Sequence, residues 1–352
     1  MADMPRVRVL VVDDSPFMRM AIGRTLAPFT SIEVVGQARN GVEALEKARA
    51  LTPDVITLDV EMPLMDGLAA LKAIMAFPRP IPCLMVSSLT TEGAEITLSA
   101  LDEGAVDFIT KPSSLAGMDI GYLQRDLVNK IMMAARIPPA WFRERAKPRK
   151  ALSPLRLDAA VGKRGVEVVC IGISTGGPPA LQRIIPALPA NFPVAVIVAQ
   201  HMPPGFTKSM AERLNKMSAI EVKEAEEGDI ISAGRVLVAK SGMHFVFNEK
   251  YGKKIASLTR RPESENYFPS INVLFESAAR FFGGRTLPVI MTGMGTDGTD
   301  GLRTLKTHGA FAMAQSEESC AVFGMPKSAI EEGLIDRVAG LEDMAGAIIE
   351  EL

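Results

Sequence analysis

The sequence predicts two α/β domains, each built on a doubly wound parallel sheet, and three observations carry that expectation. The chain has 352 residues, more than a single hydrophobic core usually holds. Short β-branched runs, apolar almost throughout, alternate with helical patterns, as strands buried on both faces do between covering helices. One segment, 137–164, breaks the alternation: it carries Pro138, Pro139, Pro148 and Pro154, and eight Lys or Arg against only Glu144 and Asp158. We read it as an interdomain linker between a domain at 1–136 and a domain at 165–352.

Apolar residues make up 47% of the chain and charged residues 23%, ordinary for a folded protein. A net charge of -2 offers no overall attraction to nucleic acid or an anionic membrane. No apolar run approaches a bilayer span, and the apolar stretch near the N-terminus is broken by acids, so neither membrane insertion nor a signal segment is expected. Cys83, Cys170 and Cys320 lie far apart without CxxC spacing, which makes a reducing cytoplasm the expected location.

In the first domain, strands are expected at VRVLVVDD, IEVVGQA, DVITLDV, IPCLMVSS and GAVDFIT, and helices at FMRMAIGRTLAPF, GVEALEKARAL and GLAALKAIMAF. Chemistry in such a sheet gathers at the carboxyl ends of the strands. Asp13 and Asp14 end the first strand, Asp59 the third, Ser87 and Ser88 the fourth, and Lys111 follows the fifth. Three crowded carboxylates repel one another unless a divalent cation neutralises them. Magnesium, a hard ion that keeps waters and takes carboxylates, is the natural candidate. A carboxylate beside it, with a hydroxyl and a lysine converging, can attack a phosphoryl group, which makes Asp59 the expected phosphoacceptor.

VVDDS, LDVEMPLMDG, SS and TKPSS, arriving in that order, resemble the receiver domain of two-component response regulators over roughly residues 6 to 130. The resemblance implies a flavodoxin-like fold and phosphorylation of Asp59 by a partner histidine kinase. It implies magnesium on Asp13, Asp14, Asp59 and the backbone carbonyl of Glu61, with Ser87 or Ser88 and Lys111 responding to the phosphate.

In the second domain, Gly172 to Gly176 reads GISTG and matches the G-x-S-x-G nucleophile elbow. The strand VEVVCIGI leads in, and PPALQRIIPAL follows as a helix whose prolines suit its first turn. A serine there stands at a helix N-terminus, where backbone N–H groups can meet an oxyanion. A dinucleotide cradle is the rival use of such a turn, but it wants an acid at the end of the next strand. That strand, VAVIVAQHMPPGF, ends in Gln200 and His201 instead, so the serine gains a possible base.

Of the three histidines, only His201 is expected to converge with Ser174 on one sheet edge. His244 reads as a turn or strand residue with a structural role, and His308 as a helix C-terminal residue at the opposite end of the next strand. TLPVIMTGMGTDGTDGL then runs from a strand into a glycine-rich loop, with Asp297 nearer the strand end and Asp300 placed to cap the following helix. The expected constellation is Ser174, His201 and Asp297.

GISTGGP, AQHMPPGFTKSMAERLN, EGDIISAGRVLVA, MTGMGTDGTDGL and VFGMPKSAI resemble the catalytic domain of the chemotaxis protein-glutamate methylesterases over about residues 165 to 350. A receiver followed by this domain is that family's architecture. The resemblance implies Ser174, His201 and Asp297 as a catalytic triad, the backbone N–H groups of Thr175 and Met294 as an oxyanion hole, and no cofactor in this domain. It implies hydrolysis of methyl esters on chemoreceptor glutamates with release of methanol, some members also hydrolysing receptor glutamines. One departure is visible: FPSIN stands where the family's Arg-Pro-Ser-Val-Asp is expected, so Phe268 and Asn272 replace a basic and an acidic side chain. The residues alone also admit a response regulator whose output domain only binds a partner protein.

Overall fold

The computed structural model describes residues 6–88, 90–111, 120–138, 141–142, 154–155, 157 and 164–352. Most of the expected linker, and the run after Lys111, lie outside the described residues. The chain divides into two compact units, Met1–Arg149 and Lys150–Leu352.

The first unit holds β1 (Val7–Val12), β2 (Ile32–Ala38), β3 (Val55–Asp59), β4 (Cys83–Ser87) and β5 (Asp107–Thr110) in one parallel sheet of order β2-β1-β3-β4-β5. Valine, isoleucine and leucine dominate the central strands, which are closed to solvent, as a sheet covered on both faces requires. The helices are α1 (Pro16–Leu26), α2 (Gly41–Leu51), α3 (Gly67–Met75), α4 (Thr91–Asp102) and α5 (Ile120–Ala134). Ser15, Asn40, Asp66 and Thr90 cap the first four, their side chains accepting the N–H of Met18, Glu43, Ala69 and Gly93. The chain starts at β1, turns outward to β2, and then crosses to β3. The crevice where strand order reverses therefore opens at the carboxyl ends of β1 and β3, which carry the expected carboxylates.

The second unit holds seven parallel strands: β6 (Val168–Ile173), β7 (Ala195–Gln200), β8 (Glu221–Glu224), β9 (Arg235–Val238), β12 (Thr286–Ile290), β13 (Met313–Gln315) and β14 (Arg337–Ala339). Their order is β14-β13-β12-β6-β7-β9-β8, with the unit's first strand, β6, at the centre. The antiparallel pair β10 (His244–Lys250) and β11 (Lys253–Thr259) forms a separate ribbon. The helices are α6 (Gly177–Ile184), α7 (Phe206–Met217), α8 (Ile271–Phe282), α9 (Thr299–Thr307), α10 (Met325–Glu331) and α11 (Met344–Glu350). Phe245, Phe247, Leu274, Phe275, Phe282, Ile290 and Leu302 share one buried cluster that fastens α8, α9 and the ribbon to the sheet.

One helix start differs from expectation. Gly298, with φ of +99°, is the N-cap of α9, while Asp300 lies inside its first turn and pairs with Arg303 at 2.5 Å. Among the described residues, no helix is long and apolar enough to cross a membrane.

Candidate active site and phosphorylation site

β6 and β7 are parallel neighbours, and each ends in a turn at the same sheet edge. After β6 the chain bends through Gly176, whose φ of +76° favours glycine and where an added Cβ would come within 2.5 Å of the Ala321 Cβ. This bend leaves Ser174 at the strand end, its N–H donating to the Thr292 carbonyl at 2.9 Å. His201 is anchored by its own N–H, which donates to the Ile173 carbonyl at 3.1 Å. Gln200 ties the two turns together. Its buried side-chain amide donates to the Ser174 carbonyl at 2.9 Å and to the His201 carbonyl at 3.0 Å.

The structure brings Ser174, His201 and Asp297 together. His201 Nδ1 lies 3.2 Å from Ser174 Oγ, and His201 Nε2 lies 2.8 Å from Asp297 Oδ2. Asp297 in turn sits at the N-terminus of α8. Its Oδ2 accepts the Ile271 N–H at 2.8 Å, and its Oδ1 accepts the Asn272 N–H at 3.0 Å. The Ser270 hydroxyl lies between Asp297 Oδ1, at 3.2 Å, and Glu265 Oε2, at 2.9 Å. Burial pushes the Asp297 carboxyl upward, but the His201 ring and the two backbone N–H groups outweigh it and hold the carboxyl below its ordinary range. An ionised carboxylate only accepts, so His201 carries its proton on Nε2 and turns the Nδ1 lone pair to the Ser174 hydroxyl. The ring is thus used in the opposite sense from the serine-protease template, where Nε2 faces the serine.

The residues expected to serve an oxyanion flank the serine. Thr175 is buried and its carbonyl accepts the Thr292 hydroxyl at 2.9 Å. The Met294 N–H has no hydrogen-bond partner among the described residues. Gly293 precedes it, and an added Cβ there would lie 2.7 Å from the Ser174 Cβ, so the loop can approach the serine only as glycine.

Sequence reasoning missed how much of this site one short segment supplies. Tyr267 stacks on His201 with ring centroids 4.1 Å apart and planes 8° from parallel. Phe268 stacks on His244 at 4.4 Å. Ser270, Ile271 and Asn272 hold Asp297, and Asn272 Oδ1 also accepts the N–H groups of Gly298 and Gly301 at 2.9 and 3.0 Å. The proline–serine step before an amphipathic run is a helix-start signal, and Ser270 does cap α8 through the Val273 N–H. Its partner Asp297 is 27 residues away, beyond any local pattern.

Among the described residues, no hydrogen bond joins His244 to Ser174. His244 Nδ1 accepts the Ser270 N–H and its Nε2 donates to the Pro262 carbonyl, each at 3.1 Å. Burial depresses its pKa despite that carbonyl and the nearby Glu265 and Asp297 charges, so it stands as a neutral structural ring. His308 is the C-cap of α9.

In the first unit, carboxylate oxygens of Asp13, Asp14 and Asp59 lie within 4.8 Å of one another, with Asp13 and Asp59 buried and Asp14 exposed. Lys111 Nζ stands 2.7 Å from Asp59 Oδ2 and 3.2 Å from Asp13 Oδ2. Burial pushes the Asp59 carboxyl up to about 6, and the Asp13 charge adds to that, while Lys111 opposes it. Three hard oxygens gathered at a crevice, one of them facing solvent, suit a hydrated divalent cation that would relieve this crowding. The Glu61 N–H donates to Asp59 Oδ1 at 3.3 Å. The structure does not join either serine to Asp59 by a hydrogen bond. Ser87 Oγ donates to the Gly93 carbonyl at 3.2 Å and accepts the Thr97 hydroxyl at 2.7 Å, and Ser88 Oγ lies 3.2 Å from Thr90 Oγ1.

Comparison with known proteins places both units. The CheB methylesterase model matches residues 169–348, and the response regulator receiver domain model matches residues 9–119. The protein-glutamate methylesterase/protein-glutamine glutaminase of Lawsonia intracellularis is 46% identical and spans 98% of this chain and 99% of its own length. The protein of the same name from Halalkalibacterium halodurans is 45% identical over 98% of each chain. The crystal structure of the Thermotoga maritima CheB methylesterase catalytic domain covers 53% of this chain and 99% of its own at 43% identity, with a TM-score of 0.52. With a receiver match ahead of a methylesterase match and relatives this similar over nearly the whole length, the chain belongs to the CheB methylesterase family.

Proposed function

We propose that the chain removes methyl esters from glutamate side chains of chemotaxis receptors, releasing methanol, under control of phosphorylation at Asp59. The reaction class comes from the similarity to the methylesterase relatives. The residue roles rest on one observation: a single imidazole bridges Ser174 Oγ and the Asp297 carboxylate.

Ser174 Oγ attacks the ester carbonyl carbon while His201 Nδ1 takes the hydroxyl proton. The carbonyl oxygen becomes an oxyanion facing the N–H groups of Thr175 and Met294, each such donor lowering the barrier by roughly 3 to 4 kcal/mol. The intermediate expels the methoxy group, which takes the proton from His201 and leaves as methanol. Water, deprotonated by the same ring, then cleaves the acyl-serine ester and frees the glutamate carboxylate and Ser174. Asp297 stays ionised throughout and stabilises the imidazolium. The names of the relatives include a glutaminase activity, and the same relay delivers a proton to an amide leaving group. Amides need more leaving-group help than esters, so glutamine hydrolysis is the slower reaction.

In the receiver, Asp13, Asp14 and Asp59 with the backbone carbonyl of Glu61 would hold magnesium, which when bound screens the carboxylates and the incoming phosphoryl oxygens. The Asp59 carboxylate accepts the phosphoryl group from a chemotaxis histidine kinase, and Lys111 pairs with the transferred oxygens. Ser87 or Ser88 exchanges its present partners for the phosphate. The chain is proposed to work in the cytoplasm as a receiver at 1–136, a linker at 137–164 and a methylesterase domain at 165–352, with no cofactor in the last. Methanol release from methylated receptor fragments, with and without a small phosphodonor, tests this reading. If Ser174→Ala keeps more than about a tenth of the wild-type rate, the nucleophile assignment fails.

A further inference from the structure

We infer that Tyr267 is a positioning residue for His201, its ring setting the tilt at which the imidazole faces Ser174 and Asp297. The inference rests on His201 acting as the base, and its ground is the geometry of the ring. Hydrogen bonds at Nδ1 and Nε2 hold two points on the edge of the ring, but the imidazole can still rotate slightly about its Cβ–Cγ bond within the tolerance of those bonds. That rotation swings the Nδ1 lone pair and the Nε2–H out of line with their partners, and proton transfer depends on that alignment.

A flat group against the imidazole face blocks this rotation, and Tyr267 is such a group. Its ring lies 4.1 Å from the imidazole centroid and only 8° from parallel, and its side chain is half-buried. The contact also suits the reaction electronically. An imidazolium forms in each transition state, and an aromatic face attracts a cation more than a neutral ring. The neighbouring residue makes a contrasting pair: Phe268 lies 29° from parallel with His244, a neutral ring held by two backbone groups. Two residues beyond Phe268, Ser270 to Asn272 hold Asp297. One strap therefore sets both the carboxylate and the plane of the base that it orients.

The test compares full-length wild type with Tyr267→Phe and Tyr267→Leu. The chain has three histidines, so the His201 ring-proton resonances can be assigned by substituting each histidine in turn. In the wild type these resonances are expected upfield through the aromatic ring current. Tyr267→Phe is expected to keep that shift, and Tyr267→Leu to lose it. Kinetics on a methylated receptor fragment and on a short peptide bearing a glutamate methyl ester supply the second readout. Tyr267→Leu is expected to lower kcat about tenfold on both substrates with KM changed less than about twofold, and Tyr267→Phe to stay within about twofold of wild type. A His201 resonance indifferent to Tyr267→Leu overturns the stack. An unchanged kcat in that variant, or a loss confined to KM on the receptor fragment, overturns the positioning role. Full activity in His201→Gln sinks the assignment of the base instead, while the His201 resonances of wild type and Tyr267→Leu still report on the stack.

Discussion

Asn272 and Gly298 are joined by a hydrogen bond in which the Gly298 N–H donates to Asn272 Oδ1 at 2.9 Å, and the Gly301 N–H meets the same oxygen at 3.0 Å. One side-chain atom thus satisfies two N–H groups at the start of α9, which have no partner within the helix. The backbone N–H of Asn272 meanwhile holds Asp297. An aspartate offers the same acceptor oxygen, so asparagine here preserves the fastening of the Asp297 loop and removes a negative charge beside the Asp297 carboxylate.

Asn272→Asp is therefore expected to fold and turn over, whereas Asn272→Ala strands two amides and should cost about 1 to 3 kcal/mol of stability. Urea unfolding of both variants measures the difference. Equal stability of Asn272→Ala and wild type would remove the fastening role.

Ser174→Ala and His201→Ala should each lower kcat by roughly 10⁴-fold or more, because members of one proton relay fail together. Asp297→Asn should retain a larger remnant, since the amide still lies at the α8 N-terminus but no longer fixes the His201 proton on Nε2. Single-turnover methanol release distinguishes these outcomes.

Acid should destabilise the second unit in two stages. The folded pKa of His244 lies below its ordinary value of 6.5, so the unfolded chain binds the proton first and stability falls as pH drops below that value. The folded pKa of Asp297 lies below its ordinary 3.8, so its contribution is lost as pH falls on through the carboxylate range. Thermal melts of wild type and His244→Gln side by side, between neutral pH and about pH 5, isolate the first stage, because the Asp59 titration is common to both. His244→Gln can keep both backbone partners without titrating and should flatten it.

Asp59→Asn should hold full-length protein at its unphosphorylated rate whatever phosphodonor is added. A fragment starting near Gly165 should exceed that rate by about 5- to 150-fold, the usual range for coupling between a regulatory and a working site. Methanol release on intact receptor fragments measures both. Equal rates for the fragment and the unphosphorylated chain would leave the receiver without an inhibitory role.

A parallel doubly wound sheet sends the carboxyl end of every strand to one edge, so apolar runs followed by Ser174, His201, Asp13, Asp59 and Lys111 made the fold, and the gathering of these side chains at the sheet edges, legible in chain order. The ribbon of β10 and β11 was not legible, because its lysine- and glutamate-bearing ends break the apolar run that marks the buried strands. Local capping rules also misplaced Asp300, since Gly298 takes the left-handed cap position.

What the sequence determined by itself is which groups stand at the sheet edges. What only the tertiary structure decided is how they are held: Asp297 on the amides of Ile271 and Asn272, His201 with Nδ1 toward the serine and Tyr267 on its face, Gln200 across two turns, and Ser87 bound to Thr97. Strand-end placement follows from local periodicity and topology. Hydrogen-bond and ring partners come from elements that meet only once the chain has folded, at separations such as the 25 residues between Asn272 and Asp297, where no periodic pattern reaches.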